Sequence, residues 1–274
     1  MNPVIFLDNK FQKSDPGLLR SLTPGVVEAP GMFETMRAYQ GKVFAFEAHC
    51  RRLKQGLKRI GITAPLSDQK ALAVIQKVLS ANHLKEARVR YAVWRSSNKV
   101  RIAIVCQKEQ GLSAQQWRKG FSATISTKVR NKTKLSHLKS INYQPFRDAF
   151  LQAKEKGFDE AILLNAKNEL VEGARTNLFF VKDGVLMTPA IRCGCLNGIT
   201  RSCVLKLARQ LRLPVKTVRA KAPSLLKADE AFLTNSVSGL VPLRELDGRK
   251  IGGRNFAVTE KIYQEYLKLI HNNI

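Results

Sequence analysis

The stretch that decides the fold runs from Leu135 to Asn165 and reads LSHLKSINYQPFRDAFLQAKEKGFDEAILLN. Its middle section predicts a helix that begins after Asn142, because Pro145 would lie in the first turn and Gly157 just past the end. The closing DEAILLN is typical of a strand. Lys139 stands among small and polar residues immediately before the helix. A helix followed directly by a strand indicates a mixed α/β architecture for this part of the chain.

Three segments downstream continue the alternation of strands and helices. LVEGARTNLFFVKDGVLMTP (170–189) predicts two strands, LFFV and GVLMT, and DEAFLTNSVSGLVPL (229–243) predicts a strand pair around Gly239. NGITR (197–201) opens a helix whose apolar residues recur on one face, and a last helix over the C-terminal residues has the same spacing. These elements predict a larger C-terminal domain over residues 120–274.

The upstream part of the chain predicts a smaller α/β domain over residues 1–108. Leu53, Leu57 and Ile60 recur at helical spacing in a predicted helix over 47–60, and a second helix is expected over 68–82. ARVRYAVWR and VRIAIVC, separated by SSNK, predict a β-hairpin. The polar stretch 109–119 has no clear periodicity and is the predicted interdomain linker.

Composition is that of an ordinary globular protein. The chain has 274 residues, of which 44% are hydrophobic and 25% charged. No apolar run approaches the roughly 20 residues of a membrane helix, and the opening MNPVIFLDNKF soon turns polar, so neither a membrane span nor a signal peptide is expected. The five cysteines form no CxxC pair, and we expect reduced thiols in a cytoplasmic protein.

The formal net charge of +26 admits two interpretations. A basic surface attracts nucleic acid, but lysine and arginine occur in every segment here, with no arginine-rich tail and no interleaved aromatic motif. Nucleic acid is therefore not expected as the primary partner, whereas a positive protein suits a small anionic substrate. The chain has no P-loop, no GxGxxG, no HExxH and no zinc-type spacing among its four histidines, so no metal site is expected.

In their order along the chain, the four segments that begin at residues 135, 170, 197 and 229 resemble the class IV aminotransferases, which are the fold type IV pyridoxal-phosphate enzymes. The resemblance extends from about Gly31 to Gly253. It implies pyridoxal 5'-phosphate as cofactor, a small N-terminal α/β domain, a larger C-terminal domain with a mixed, barrel-like β-sheet and helices, and a homodimer.

The resemblance also assigns the residues that would bind the cofactor ring. The family's Schiff-base lysine falls on Lys139, and Tyr143 would face the cofactor beside it. Glu172 matches the carboxylate that pairs with the pyridine nitrogen. A carboxylate there keeps that nitrogen protonated, so the ring can absorb electrons when a substrate proton departs.

A second group of residues would hold the cofactor phosphate. The helix start at Ile199 and Thr200 offers backbone N–H groups and a favourable dipole for an anion. Ser236 supplies a hydroxyl and a backbone N–H in the equivalent place of the family. Arg52, in HCRRL, matches the arginine of the family's HxxRL motif, which reaches the phosphate.

The family contains both lyases and transaminases, and two segments favour 4-amino-4-deoxychorismate lyase, which makes 4-aminobenzoate and pyruvate on the folate route. TNSVSGLVPL resembles the N-[AS]-[LV]-x-x-x-x-P segment of that enzyme. Thr35 falls where the lyase carries a threonine, whose hydroxyl could assist proton delivery to the departing pyruvate. Arg95, or alternatively Arg37, would bind a substrate carboxylate. The alternative is an amino-acid aminotransferase, D-specific or branched-chain, and the remote alternative is a non-catalytic basic protein that binds nucleic acid.

Overall fold

The computed structural model describes residues 2–130, 133, 135–253 and 255–274. The chain folds into two compact units. Unit 1 comprises Met1–Gly111, Leu138–Gln144 and the last two residues, and unit 2 comprises Leu112–His137 and Pro145–Asn272. The division after Gly111 lies inside the predicted linker. The segment with Lys139 belongs to unit 1, although the sequence-based boundaries place it in the C-terminal domain.

Unit 1 is a six-stranded sheet with two long helices on one face. The strand order is β2-β1-β6-β5-β3-β4, and every pairing within it is antiparallel. Its elements are β1 (Val4–Leu7), β2 (Lys10–Lys13), α1 (Pro16–Ser21), β3 (Gly31–Tyr39), β4 (Lys42–Val43), α2 (Phe46–Arg59), α3 (Asp68–Ala81), β5 (Ala87–Ser96) and β6 (Lys99–Lys108).

The alternation of side chains along β3 divides the core of unit 1 between the two faces of the sheet. Met32 and Met36 point to the face covered by α2 and α3, where they pack with Leu53 and Leu57 of α2 in the larger core cluster. Phe33, which follows Met32 in this alternation, belongs to a separate cluster on the opposite face. The strand therefore presents different chemistry on each side.

Unit 2 is a nine-stranded mixed sheet with five α-helices and a single 3-10 turn among its described residues. The strand order is β12-β11-β10-β13-β14-β7-β8-β9, and the ninth strand, β15, pairs with β14. Its elements are α4 (Ala114–Lys119), β7 (Phe121–Val129), α5 (Gln144–Glu155), β8 (Glu160–Leu164), β9 (Leu170–Gly173), β10 (Asn177–Lys182), β11 (Val185–Pro189), a 3-10 turn (Ile191–Cys193), α6 (Ile199–Gln210), β12 (Val215–Val218), α7 (Ala222–Leu226), β13 (Glu230–Asn235), β14 (Gly239–Leu246), β15 (Arg249–Lys250) and α8 (Ala257–His271).

The predicted mixed α/β fold is confirmed, and the long helices begin and end within a residue or two of the predicted bounds. The linker stretch differs, because α4 forms there with a capping box between Ser113 and Gln116. Trp117 of that helix is buried and donates its indole N–H to the carbonyl of Leu240 at 2.8 Å. Within the described part of the chain, no helix has the length and apolar character needed to cross a membrane.

Candidate active site

Lys139 lies in an extended segment that pairs with the beginning of β3. The N–H of Phe33 donates to the carbonyl of Lys139 at 3.0 Å, and the N–H of Ile141 donates to the carbonyl of Gly31 at the same distance. On its other side Gly31 pairs with Trp94 of β5, and a Cβ on Gly31 would lie 2.5 Å from the Cβ of Trp94, so the pairing of β3 with β5 requires glycine here. The backbone of Lys139 is thus held by the edge of a sheet.

The amine of Lys139 lies over aromatic rings. Its Nζ is 4.7 Å from the ring centroid of Phe33 and 5.7 Å from that of Tyr143. The two rings meet edge to face with centroids 5.3 Å apart. The structure therefore brings together Lys139 and Tyr143, as the resemblance implies, and adds Phe33, for which the sequence interpretation had no role.

On the helix-covered face of β3, a buried carboxylate joins two residues of α2. Glu34 accepts hydrogen bonds from Arg52 through Nε at 2.7 Å and Nη2 at 2.6 Å, and its Oε2 lies 2.7 Å from Nδ1 of His49. Glu34 and His49 are each only 1% exposed. His49 and Arg52 share a face of α2 because they are three residues apart.

The charges of this cluster follow from its partners. Burial opposes ionisation of Glu34, but the charge and hydrogen bonds of Arg52, together with His49, lower its pKa from 4.5 to about 2. Burial lowers the pKa of His49 and outweighs the opposing effect of Glu34. An ionised carboxylate only accepts hydrogen bonds, so Nδ1 of His49 carries a hydrogen and donates a hydrogen bond to Glu34.

The three other predicted residues of unit 1 lie at different places on the sheet. Thr35 is half-buried on the face that carries Phe33, opposite Arg90 of β5. Arg37 is buried and paired with Glu86 at 3.0 Å. Arg95 is exposed, falls on the helix-covered face by strand alternation, and donates to the carbonyl of Gly61 at 2.6 Å.

In unit 2, Glu172 is buried at the end of β9 among donors from three segments. The backbone N–H of Leu196 donates to its Oε2 at 2.9 Å, the amide of Asn177 reaches the same oxygen at 3.4 Å, and Nε of Arg130 lies 3.6 Å from Oε1. The Asn177 amide also donates to the carbonyl of Leu196 at 2.9 Å. Asn177 therefore orients the backbone that binds Glu172.

The start of α6 has the features of an anion site. Gly198 is the N-cap and supplies no side-chain hydrogen bond to the first turn, which contains Ile199 and the buried Thr200. A Cβ on Gly198 would lie 2.0 Å from Oδ1 of Asn177, so only glycine fits beside that amide. First-turn N–H groups without a side-chain cap favour an anionic ligand.

Ser236 lies in the turn between β13 and β14. Asn235 shapes this turn, since its Oδ1 accepts hydrogen bonds from the N–H groups of Val237 at 2.9 Å and Ser238 at 2.7 Å. Ser236 itself is half-buried.

These residues fit pyridoxal phosphate by the chemistry of their groups. Unit 1 holds an amine over aromatic rings, and unit 2 holds a buried carboxylate and a helix start whose cap is a bare glycine. Among the described residues, no group of three histidine, cysteine or acidic side chains could hold a metal ion.

Sequence reasoning missed Glu34, Arg130 and the N–H of Leu196. Glu34 left a signal: a lone carboxylate at a core-facing position of an apolar strand requires a buried partner. Arg130 and Leu196 left none, because only the folded loops bring them to Glu172.

Comparison with known proteins identifies the family. The model of the family described as "Amino-transferase class IV" matches residues 31–246. The chain belongs to the class IV aminotransferases. Enzymes of this family depend on pyridoxal phosphate, so the prediction of a pyridoxal-phosphate enzyme is confirmed and the non-catalytic alternative is wrong.

Relatives with different activities are similar to this chain over almost its whole length. A putative branched-chain-amino-acid aminotransferase of Methanocaldococcus jannaschii is 31% identical, with 96% of this chain and 94% of that protein covered. The aminodeoxychorismate lyase of Bacillus subtilis is 27% identical over 99% and 96% of the two chains. The structure of the branched-chain aminotransferase of Thermoproteus uzoniensis with norvaline superposes with a TM-score of 0.87 at 28% identity, covering 100% and 96%.

Proposed function

We propose that this enzyme is an amino-acid aminotransferase whose substrate carries an apolar, branched side chain. The observation that carries the proposal is the apolar, aromatic surface of Phe33 and Tyr143 around the amine of Lys139. Such a surface favours an aliphatic side chain next to the reacting amine. Branched-chain aminotransferases among the relatives support this alternative better than the lyase that the sequence motifs favoured.

The residues have separate roles in this proposal. Lys139 would hold the cofactor covalently until the substrate amine displaces it, and the cofactor would then supply an electron sink for the bonds of the substrate α-carbon. Nζ of Lys139 takes the proton from that carbon and returns a proton when the product forms. Glu172 holds a proton on the cofactor ring nitrogen, and Tyr143 orients the ring from the side of Lys139.

Phosphate binding falls to a second set of groups. The N–H groups at Ile199 and Thr200, the side chain of Ser236 and the guanidinium of Arg52 would bind the cofactor phosphate. Gly198 leaves the helix start open for this, since it has no side chain to cap it.

The two arginines predicted to bind a substrate carboxylate are both engaged by other groups of unit 1. Arg37 is paired with Glu86, and its Nη1 lies 3.8 Å from Glu109, while Arg95 bonds to Gly61 on the other face. Arg90, which faces the same side as Thr35, is a better-placed candidate for the substrate α-carboxylate. Substrate binding by Arg37 or Arg95 stays a prediction.

A second candidate function, aminodeoxychorismate lyase, rests on Thr35. Its hydroxyl lies on the face of β3 that carries Phe33, two residues along, where it could deliver a proton to a departing pyruvate. The B. subtilis lyase, similar over nearly the full length, supports this candidate.

The deciding experiment compares substrates with and without an acceptor. A transaminase needs a 2-oxo acid to complete its cycle, whereas the lyase needs none. We expect leucine, isoleucine or valine to be consumed only when 2-oxoglutarate is present. Release of 4-aminobenzoate and pyruvate from aminodeoxychorismate without acceptor, and no turnover of leucine, would establish the lyase instead. If the enzyme is the lyase, Thr35→Ala should slow that reaction strongly. If it is the aminotransferase, the same change should leave transamination of leucine nearly unchanged.

A homodimer is also proposed, because the family resemblance implies one. Sedimentation equilibrium should give about twice the 30.7 kDa chain mass. A monomer that is fully active would contradict it.

A further inference from the structure

We propose that Glu34 is a positioning residue that fixes the guanidinium of Arg52 for the phosphate of the cofactor. The inference rests on the proposed function, in which Arg52 binds that phosphate. No motif in the sequence assigns Glu34 a role, and its side chain lies on the opposite face of β3 from Phe33 and Lys139.

The cluster of Glu34, His49 and Arg52 holds the guanidinium of Arg52 in one orientation. Glu34 is 1% exposed and receives two parallel hydrogen bonds from Arg52, at 2.7 and 2.6 Å, with His49 adding a third contact at 2.7 Å. Bidentate pairing of guanidinium and carboxylate fixes the orientation of both groups as well as their distance. The Arg52 side chain is 17% exposed, so part of it reaches solvent.

The pairing decides which edge of Arg52 faces a ligand. A guanidinium has five N–H groups in a planar fork. Nε and Nη2 are directed at Glu34, so the edge that includes Nη1 points away from the carboxylate. Rotation of the guanidinium about its long axis would break both bonds to Glu34.

Glu34 also links the guanidinium of Arg52 to the strand that lies beneath the amine of Lys139. Its neighbour Phe33 holds the backbone of Lys139 through a hydrogen bond of 3.0 Å and lies beneath Nζ. Adjacent residues of one strand therefore support the lysine on one face and the arginine on the other. Phe33 and Glu34 are separated by one residue rise of the strand, about 3.3 Å.

A positioning role and a simple counter-charge role predict opposite effects. Ionised Glu34 cancels the charge of Arg52, so its neutralisation would strengthen attraction for an anion if charge alone mattered. If orientation matters, the same change weakens phosphate binding because the bidentate geometry is lost. The sign of the change in cofactor affinity separates the two.

The experiment titrates apoprotein with pyridoxal phosphate and, in parallel, with pyridoxal, which lacks the phosphate. Glu34→Gln should weaken binding of pyridoxal phosphate by about 10- to 100-fold, the range for a hydrogen bond to a charged group. Binding of pyridoxal should be unchanged. Glu34→Asp, which keeps the charge but shortens the side chain, should show the same selective loss in smaller measure.

Three further variants complete the design. Arg52→Ala should show the selective loss as well, and combining it with Glu34→Gln should add nothing further. Glu230→Gln is the matched control: Glu230 is also buried and bonds the N–H groups of Val258 and Thr259, far along the chain from Arg52. It should leave the ratio of the two affinities unchanged.

The outcomes that overturn the inference are distinct. Tighter or equal binding of pyridoxal phosphate by Glu34→Gln, with Arg52→Ala impaired, overturns the role of Glu34 alone. Equal losses of both ligands in Glu34→Gln and Glu34→Asp show a merely structural residue and also overturn it. Normal binding by Arg52→Ala overturns the role of Arg52 in the proposed function, and this inference with it.

Discussion

Glu172 receives hydrogen bonds from side-chain and backbone donors that come from distant parts of the chain. Leu196 and Asn177 donate to the same oxygen, Oε2, and Arg130 approaches the other. A carboxylate held this way keeps a fixed orientation, and its charge is the property on which the proposed role depends.

Glu172→Gln should bind the cofactor but lose activity. The amide is nearly the same size, so the fold should persist, but it cannot hold a proton on the ring nitrogen. We expect turnover to fall about 100-fold, the scale of removing one positioned electrostatic group. Steady-state kinetics and the visible spectrum measure both effects. Glu169→Gln, which alters an ion pair with Arg219 nearby, is the control and should retain activity. Near-normal turnover in Glu172→Gln would contradict the electron-sink role.

At this scale the sequence identifies residues within motifs better than contacts between them. Lys139, Tyr143 and Glu172 could be chosen because each lies in a segment that resembles the family. The pairing of Glu34 with Arg52 could not, because the residues are 18 positions apart on different elements. Only the placement of α2 against β3 brings them together.

At the scale of elements, the junction of α6 with β10 depends on a glycine. Gly198→Ala would force its Cβ against Oδ1 of Asn177, 2.0 Å away, so the amide that orients Leu196 must move. We expect a loss of about 1–3 kcal/mol in unfolding free energy, as for overpacking elsewhere, and weaker binding of pyridoxal phosphate.

Chemical denaturation and cofactor titration test the Gly198→Ala prediction. Gly253→Ala is the matched control, because a Cβ there meets nothing within 4 Å. That variant should match the wild type within about 0.5 kcal/mol. A Gly198→Ala protein of wild-type stability and affinity would show that Asn177 is not held as described.

The contact between β3 and α2 should also make stability depend on pH. The pKa of Glu34 falls from 4.5 to about 2 on folding, so its contribution is complete above pH 4.5 and is lost as the pH falls toward 2. The free energy of unfolding of wild type should exceed that of Glu34→Gln most above pH 4.5. The difference should shrink as the pH falls. A difference that stays constant between about pH 6 and pH 3 would contradict the lowered pKa.

Long periodic elements were predictable from the sequence, whereas short ones were not. The spacing of Leu53 and Leu57 suffices for α2, since a long amphipathic pattern repeats several times. Helix α4 has only six residues, too few for a pattern to repeat, and its single signal was the capping pair Ser113 and Gln116. The N-terminal strands β1 and β2 are four residues each and were missed for the same reason.

Across the whole chain, burial lowers the reactivity of the cysteines. It raises the pKa of Cys50, Cys106 and Cys195 to about 12, and it raises the pKa of Cys193 and Cys203 as well. The thiolate is the reactive form, so these residues should be inert in the folded enzyme.

A disulfide-exchange reagent such as DTNB should therefore react slowly with the native protein at about pH 8. Five thiols per chain should react once the protein is unfolded in guanidinium chloride. Cys203 is only half-buried, so the test rests on the four buried cysteines: rapid reaction of Cys50, Cys106, Cys193 or Cys195 in the native enzyme would mean that this burial is absent in solution.

Both proposed reactions require pyridoxal phosphate bound covalently to Lys139. The most direct measurement is reduction of the purified yellow protein with borohydride, followed by peptide mapping. The cofactor mass should appear on the peptide that contains Lys139, and Lys139→Ala should remain folded without acquiring the label. Lys128, which lies on β7 of unit 2, serves as an internal control within the same digest and should stay unlabelled. Attachment to any lysine other than Lys139 would show that Lys139 does not bind the cofactor.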